Sequence, residues 1–134
     1  MNGSSVELNG ILAELNAIIS TLNIPVETGV FSDIPPDEYA VLTPMTDQFE
    51  LFGDNLPRMV VSEVRISLFS KNNYIERKNQ ISKTLFSAGF TITGSQYISH
   101  EDNTGYHHYA IDAAKDYIWD IWNIVETVKP NETS

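Results

Sequence analysis

All three histidines of this chain fall in one stretch, YISHEDNTGYHHYAID, which places His100, His107 and His108 beside Glu101, Asp102 and Asp112. Imidazoles and carboxylates so close together are the raw material of a zinc site or of general acid–base catalysis. The run Asp102-Asn103-Thr104-Gly105 has the form of a type I turn followed by a bulge, so the stretch reads as a β-hairpin. In that register Asp102 faces Tyr106, Glu101 faces His107, and His100 faces His108. Strand side chains alternate, so His107 and His108 point to opposite faces and cannot share one ion. His100 and His108 share a face, and such a cross-strand pair can bind zinc. A site still needs third and fourth ligands, and Asp102 is the only acid nearby on that face. The sequence therefore favours a structural hairpin carrying solvated histidines over a metal or hydrolytic centre at His100 and His108.

Other chemical signatures are weaker. The chain has no Gly-rich phosphate loop, no His-Glu-x-x-His and no Gly-x-Ser-x-Gly. Pro36-Asp37 followed by Glu63-Val64-Arg65 loosely matches the acidic pairs of metal-dependent nucleases, with Arg where that pattern wants Lys. There is no Cys, which rules out both a disulfide framework and a thiolate zinc site. No catalytic residue, metal or cofactor is expected.

The elements that hold these residues can be read from periodicity. At 134 residues and 42% apolar composition, one domain with its own core is expected. Residues 5–22 read as an amphipathic helix, with Leu8, Ile11, Leu12, Leu15, Ile18, Ile19 and Leu22 on one stripe and Ser4 and Glu7 as a capping box. Asn23 and Pro25 supply its stop. Strands occupy 26–70, broken by Pro35-Pro36-Asp37 and by a loop over 46–57. That acidic and aromatic segment, TDQFELFGDNLPR, reads either as the two arms of a long hairpin or as a mobile loop. Phe49, Leu51 and Phe52 are then either core or partner-facing. The clearest strand is Met59–Phe69, where Val64, Ile66 and Leu68 alternate with Glu63, Arg65 and Ser67.

A helix over 73–88 follows, capped by Asn73 and ended by Gly89. Strands over 90–113 form the histidine hairpin. Residues 114–128 fit a third helix, with Ile118, Ile121, Trp122, Val125 and Val128 on one face, and 129–134 read as a disordered tail. The expectation is a single α+β domain. A largely antiparallel sheet is packed by the N-terminal and central helices, with a short C-terminal helix added.

Charge is unevenly distributed within a net of −10. Residues 1–57 carry nine acids and no base, whereas residues 58–87 carry six bases against two acids. Such a chain should not bind nucleic acid specifically, because holding a polyanion needs a net basic face. An acidic part and a basic part on one small domain can instead attract each other between copies, or be intermixed by folding as solubility charge. No secretory signal and no apolar stretch approaching ~20 residues is visible, so a soluble domain made in the cytoplasm and not bound to membrane is expected.

Three segments carry a resemblance to a known family: IPVETGVFSDIPPDEYAVLTPM, then VRISLFSKNNYIERKNQISKTLFSAGFTI, then YISHEDNTGYHHYAIDAAKDY. In this order, after an N-terminal helix, the chain resembles the tail-completion proteins of long-tailed bacteriophages, also called tail terminators or tail-to-head joining proteins. The most telling matches are a strand ending in SLFSKN that runs into a helix whose Leu85 precedes AGF, and a hairpin ending in GYHHYAID. The resemblance covers roughly residues 7–117, its motifs are structural, and the Trp119 and Trp122 segment lies outside it.

The resemblance implies a virion protein without chemistry. Made in the host cytoplasm, it would cap the head-proximal end of the tail tube as a ring, usually a hexamer, and join the tail to the connector or stopper of the filled head. Its partners would be other copies of itself, the tail tube protein and the head connector, with DNA passing through. Phe49, Glu50, Leu51, Phe52, Asp54, Arg58, Arg65 and Lys71 are the candidate partner-interface residues, drawn from the acidic-aromatic segment and the basic segment. A head-side connector or stopper, or another phage adaptor, is the alternative; the other readings are a soluble adaptor that binds one partner through its C-terminal aromatic helix without forming a ring, and a histidine-based metal-binding or hydrolytic enzyme using His100 and His108.

Overall fold

The computed structural model describes residues 10–28, 34–50 and 58–119. The chain is an α+β domain: among the described residues, a five-stranded, mostly antiparallel sheet with two helices. In chain order the elements are α1 (Gly10–Ser20), β1 (Val26–Thr28), β2 (Glu38–Glu50), β3 (Arg58–Ser70), α2 (Tyr74–Ser87), β4 (Thr91–His100) and β5 (His107–Trp119). The sheet order is β1-β2-β3-β5-β4. Only β1 and β2 run parallel; the other neighbours are antiparallel. None of the described helices is long and apolar enough to cross a membrane.

Both helices cover one face of the sheet, and the alternation of β3 shows why. Val60, Ser62, Val64, Ile66, Leu68 and Ser70 are all buried on the helix side, while Met59, Val61, Glu63, Arg65 and Phe69 are half-buried on the other. Period-2 alternation of this kind places one set of side chains in the core and leaves the other on an open face. Leu42, Ile66 and Ile111 stand in one row across β2, β3 and β5, all fully buried. Over them α1 places Ile11, Leu15 and Ile19, and α2 places Ile81 and Leu85, at the spacing of one helix face.

The helix ends follow the sequence signals. Asn23 adopts a positive φ of 62° directly after α1, a conformation Asn tolerates better than most residues. The Asn73 side chain accepts the Glu76 backbone N–H at 3.1 Å at the start of α2. At its end the Gly89 N–H donates to the Phe86 carbonyl and the Phe90 N–H to the Leu85 carbonyl. With Gly89 at φ +90° this is a Schellman motif, and Leu85 and Phe90, both buried, make its apolar contact.

Three expectations need correction. The loop expected over 46–57 does not begin at Thr46, because β2 runs on through Thr46–Glu50 opposite Met59–Glu63. Of the two readings of this segment, the hairpin arm holds for these five residues; residues 51–57 lie outside the described ones. A bulge between Pro44 and Thr46 absorbs the proline. There β2 has no neighbour on its other side among the described residues, since β1 pairs with Ala40–Leu42, and among them the missing proline N–H costs no ladder bond.

The helix expected over 114–128 is contradicted at its start. Residues 114–119 continue β5, with Ala114 opposite Glu63 and Trp119 opposite Arg58. An Ala-rich start is only a weak helix preference, and the long free edge of β3 overrides it. The remainder of that segment, the tail at 129–134 and the capping box at Ser4 and Glu7 lie outside the described residues.

The third correction is the hairpin register. Glu101 and Tyr106 close the turn, with the Glu101 N–H donating to the Tyr106 carbonyl at 2.8 Å and the Gly105 N–H to the Glu101 carbonyl at 2.7 Å. Gly105 supplies a φ of +84°. Residues 102–105 therefore all belong to the turn, one more than expected on this side, and His100 stands opposite His107 rather than His108. A one-residue slip moves side chains to the other face.

Candidate interaction surfaces

The register settles where the histidines go. His100 and His107 share the helix side at the end of the sheet, their rings 4.5 Å apart. His107 stacks on Tyr74 at 4.8 Å, and its Nδ1 lies 2.9 Å from the Tyr97 hydroxyl. The His100 Nδ1 lies 3.2 Å from Asp102 Oδ1. His108 is on the open face, stacked on Phe69 at 4.2 Å, which in turn stacks on Tyr39 at 4.9 Å; Tyr106 meets Tyr39 and Phe69 edge-on. A shared zinc site at His100 and His108 is thus excluded by the geometry. Among the described residues no group of three or more His, Asp or Glu is placed to hold a metal. The nuclease-like pattern also comes apart. Asp37 sits beside Lys71, next to the Glu38–Ser70 end of the β2–β3 pair, while Glu63 lies seven residues along β3, roughly 23 Å away, bonded to Thr93.

His108 is a structural histidine with a pH consequence. Its Nε2 is buried without a hydrogen-bond partner. Burial holds its pKa below the ordinary histidine value; Glu101 pulls it upward and Arg65 pushes it further down. A folded pKa below the unfolded one means that the unfolded chain binds the extra proton. Stability is therefore full above about pH 6.5 and falls as the pH drops from there toward the lowered folded value. His108→Phe keeps a ring on Phe69 and removes the titration. Urea midpoints at pH 7.5 and pH 5.5 should fall less between the two conditions in His108→Phe than in the native chain. Equal falls would show that His108 does not titrate with folding.

The basic residues of the candidate interface are mostly engaged within the subunit. Arg65 donates from Nε and Nη2 to the two carboxylate oxygens of Asp112 at 2.8 and 3.0 Å, and this pairing raises its pKa. Lys71 lies 3.7 Å from Asp37 and 4.8 Å from the centre of the Tyr106 ring. Arg58 opens β3 and Lys71 follows its last residue, so the two are separated by about 40 Å of strand and do not form one patch. Phe49 and Glu50 end β2 opposite Val60 and Met59. Leu51, Phe52 and Asp54 lie outside the described residues.

Elsewhere Arg77 Nε bonds Glu38 at 2.8 Å, and Lys115 bonds Glu14 and the Ala88 carbonyl. An open cleft of about 270 Å³ lies beside the Arg77 pair, lined by Glu38, Asn72, Asn73, Glu76, Arg77 and Gln80. Its charged groups answer one another rather than a ligand.

Two surfaces stand out among the described residues. The first is the outward stripe of α2. Ile75 is 52% and Phe86 76% exposed, eleven residues apart and so on one side of the helix, with exposed Asn79 and Lys83 between them. Among the described side chains, Lys83 has no carboxylate, aromatic or hydrogen-bond partner. Sequence reasoning missed this stripe; its signal was that Ile75 and Phe86 fall outside the Tyr74-Lys78-Ile81-Leu85 face.

The second surface is the arm that β2, β3 and β5 form beyond the reach of β4, which ends opposite Ala114. On its open face Thr46 and Gln48 lie beside Glu63 and Val61, with Ala114 and Asp116 in the next strand. Gln48 and Asp116 are exposed, as are Met45 and Asp47 at the arm's edge. Its other face is covered, with the Tyr117 hydroxyl donating to Glu14 of α1 at 2.9 Å. Burial and that carboxylate raise the Tyr117 pKa.

No protein-family model matches this chain, and no curated protein matches it.

Proposed function

We propose that this chain is a structural virion protein that caps the head-proximal end of a phage tail tube as a ring, hexameric by the resemblance, and joins it to the head connector. The observation that carries the reading is where the resembling residues fall. SLFSKN spans the end of β3 and the turn into the Asn73-capped helix; Leu85 with AGF forms the Schellman end of that helix; and GYHHYAID is the Gly105 turn and the start of β5. These are the joints of the fold, so the likeness follows a scaffold rather than scattered composition. The role needs no reacting group, and the three histidine rings pack against Phe69, Tyr74 and one another.

Ring closure needs two different surfaces on each subunit, one meeting the other on the next copy. The α2 stripe and the open face of the arm are two different surfaces of this kind, on opposite sides of the sheet. A net charge of −10 on 15.0 kDa makes free copies repel, so the ring should form on the tube end rather than in solution. The test is sedimentation of the purified chain at micromolar concentration, alone and with tail tubes that lack their cap. Alone it should run as a monomer, and with tubes about one ring of copies should co-sediment per tube. A stable hexamer without tubes would overturn templating, and failure to co-sediment would overturn the function.

A further inference from the structure

We propose that the exposed stripe of α2 is the surface by which one copy grips the next, its occupant being the acidic arm of β2, β3 and β5 from a second copy of this chain. The inference rests on the ring reading above and names the contact that would build it.

The stripe is built unlike a solvated helix face. Ile75 and Phe86 stand about 16 Å apart along the helix axis, and both expose most of their apolar surface. Between them Lys83 carries a charge that nothing described in its own subunit answers, whereas Arg65, Arg77, Lys71 and Lys115 each face a carboxylate. Two large apolar anchors around one unanswered cation suit a partner that is apolar at its edge and acidic on its face.

The arm has that chemistry. Met45 is exposed at its edge, and Asp116 is exposed on its open face. Gln48, Val61 and Asp116 stand in one row, so the carboxylate lies roughly 10 Å across the strands from Gln48. Glu63, half-buried, borders this row on the same face. No base shares this open face of the arm among its described side chains, and the nearest, Arg65, is held by Asp112.

The arm of a subunit cannot reach that subunit's own stripe. The helix packs on the covered side of β3, β4 and β5, and the acidic row points away from the other side. The contact must therefore pass between copies. It is heterologous, so it propagates until it closes, whereas a two-fold contact would stop at a dimer.

The absence of Cys gives a clean test. One full-length chain carries Asn79→Cys, at the middle of the stripe, and another carries Gln48→Cys, on the arm; both positions are exposed. The two are mixed near millimolar concentration with a short bis-maleimide. A mixed covalent dimer should form at least tenfold over either chain alone. Adding Lys83→Glu to the Asn79→Cys chain should lower that yield several-fold, and adding Asp116→Lys to the Gln48→Cys chain should restore it. Thermal melting of each variant verifies folding. Cross-linking confined to Asn79→Cys with itself would show a two-fold contact and overturn the proposal, as would yields no better than random or indifferent to Lys83→Glu. Because this assay contains no tail tubes, a chain that fails to cap tubes can still show the contact, and one that caps tubes through another surface will fail here alone.

Discussion

Ile66→Ala should lower the unfolding free energy by about 3–4 kcal/mol, a large share of the roughly 5–15 kcal/mol that holds a domain of this size together. Ile66 is fully buried at the middle of β3, in the row with Leu42 and Ile111, beneath both helices. Removing three carbons there loses their transfer energy and leaves a cavity that cannot collapse, because strands on both sides fix the backbone. The melting temperature should fall by roughly 10 °C or more. Val61→Ala, on the open face of the same strand and half-buried, should cost under about 1 kcal/mol. Chemical denaturation of the pair measures the contrast. Equal losses would mean that the open face is as tightly covered as the helix face.

Glu38→Ala should cost about 2–3 kcal/mol, although Glu38 is one carboxylate at the start of a strand. Its side chain is only 14% exposed. One oxygen accepts from Arg77 Nε and the other from the Ser70 hydroxyl, each at 2.8 Å. The same Ser70 oxygen accepts the Asn72 N–H at 3.0 Å. One side chain thus ties β2, the end of β3 and the first turns of α2 together. Without it Arg77 keeps only the Gln80 side chain, and the buried Ser70 hydroxyl loses its acceptor. Glu38→Gln keeps the Ser70 bond and gives up the charge, so about half the loss is expected. A double-mutant cycle with Arg77→Ala should return a coupling of about 1–2 kcal/mol. Strict additivity would show that the pair contributes nothing beyond its separate parts.

Much of this scaffold was legible in the sequence because its signals are local. Asn73 with Glu76 and Gly89 before Phe90 specify both ends of α2 through bonds that span at most five residues. The alternation around Val64, Ile66 and Leu68 specifies which face of β3 is buried. What escaped depends on partners far away in sequence. The hairpin register turned on how many residues the Asp102–Gly105 turn takes up, and a slip of one exchanged His108 for His107 opposite His100. Residues 114–119 read as helix because Ile118 falls in a helical stripe with Ile121, Trp122, Val125 and Val128, and only pairing along β3 makes them strand. The strand expected to give way to a loop at Thr46 runs on to Glu50, with a bulge just after Pro44.

The interface residues were the least legible. Arg65 looks available until Asp112, 47 residues on, is folded against it. Lys83 looks ordinary until every other described base near it has found a partner. Phe86 falls outside the apolar face of a mostly polar helix, and the placement of Ile81 and Leu85 against the sheet shows how far it faces out. Pairing across the sheet decides which charges and apolar groups are left over, and those remainders are what an assembly can use.

The central claim, that this chain closes the end of a tail tube, is tested most directly by electron microscopy of cap-less tail tubes mixed with the purified protein. A ring of added density at one end of each tube, absent from its sides and from the opposite end, is the result expected. Bare tube ends at saturating protein, or density scattered along the tube walls, would contradict it.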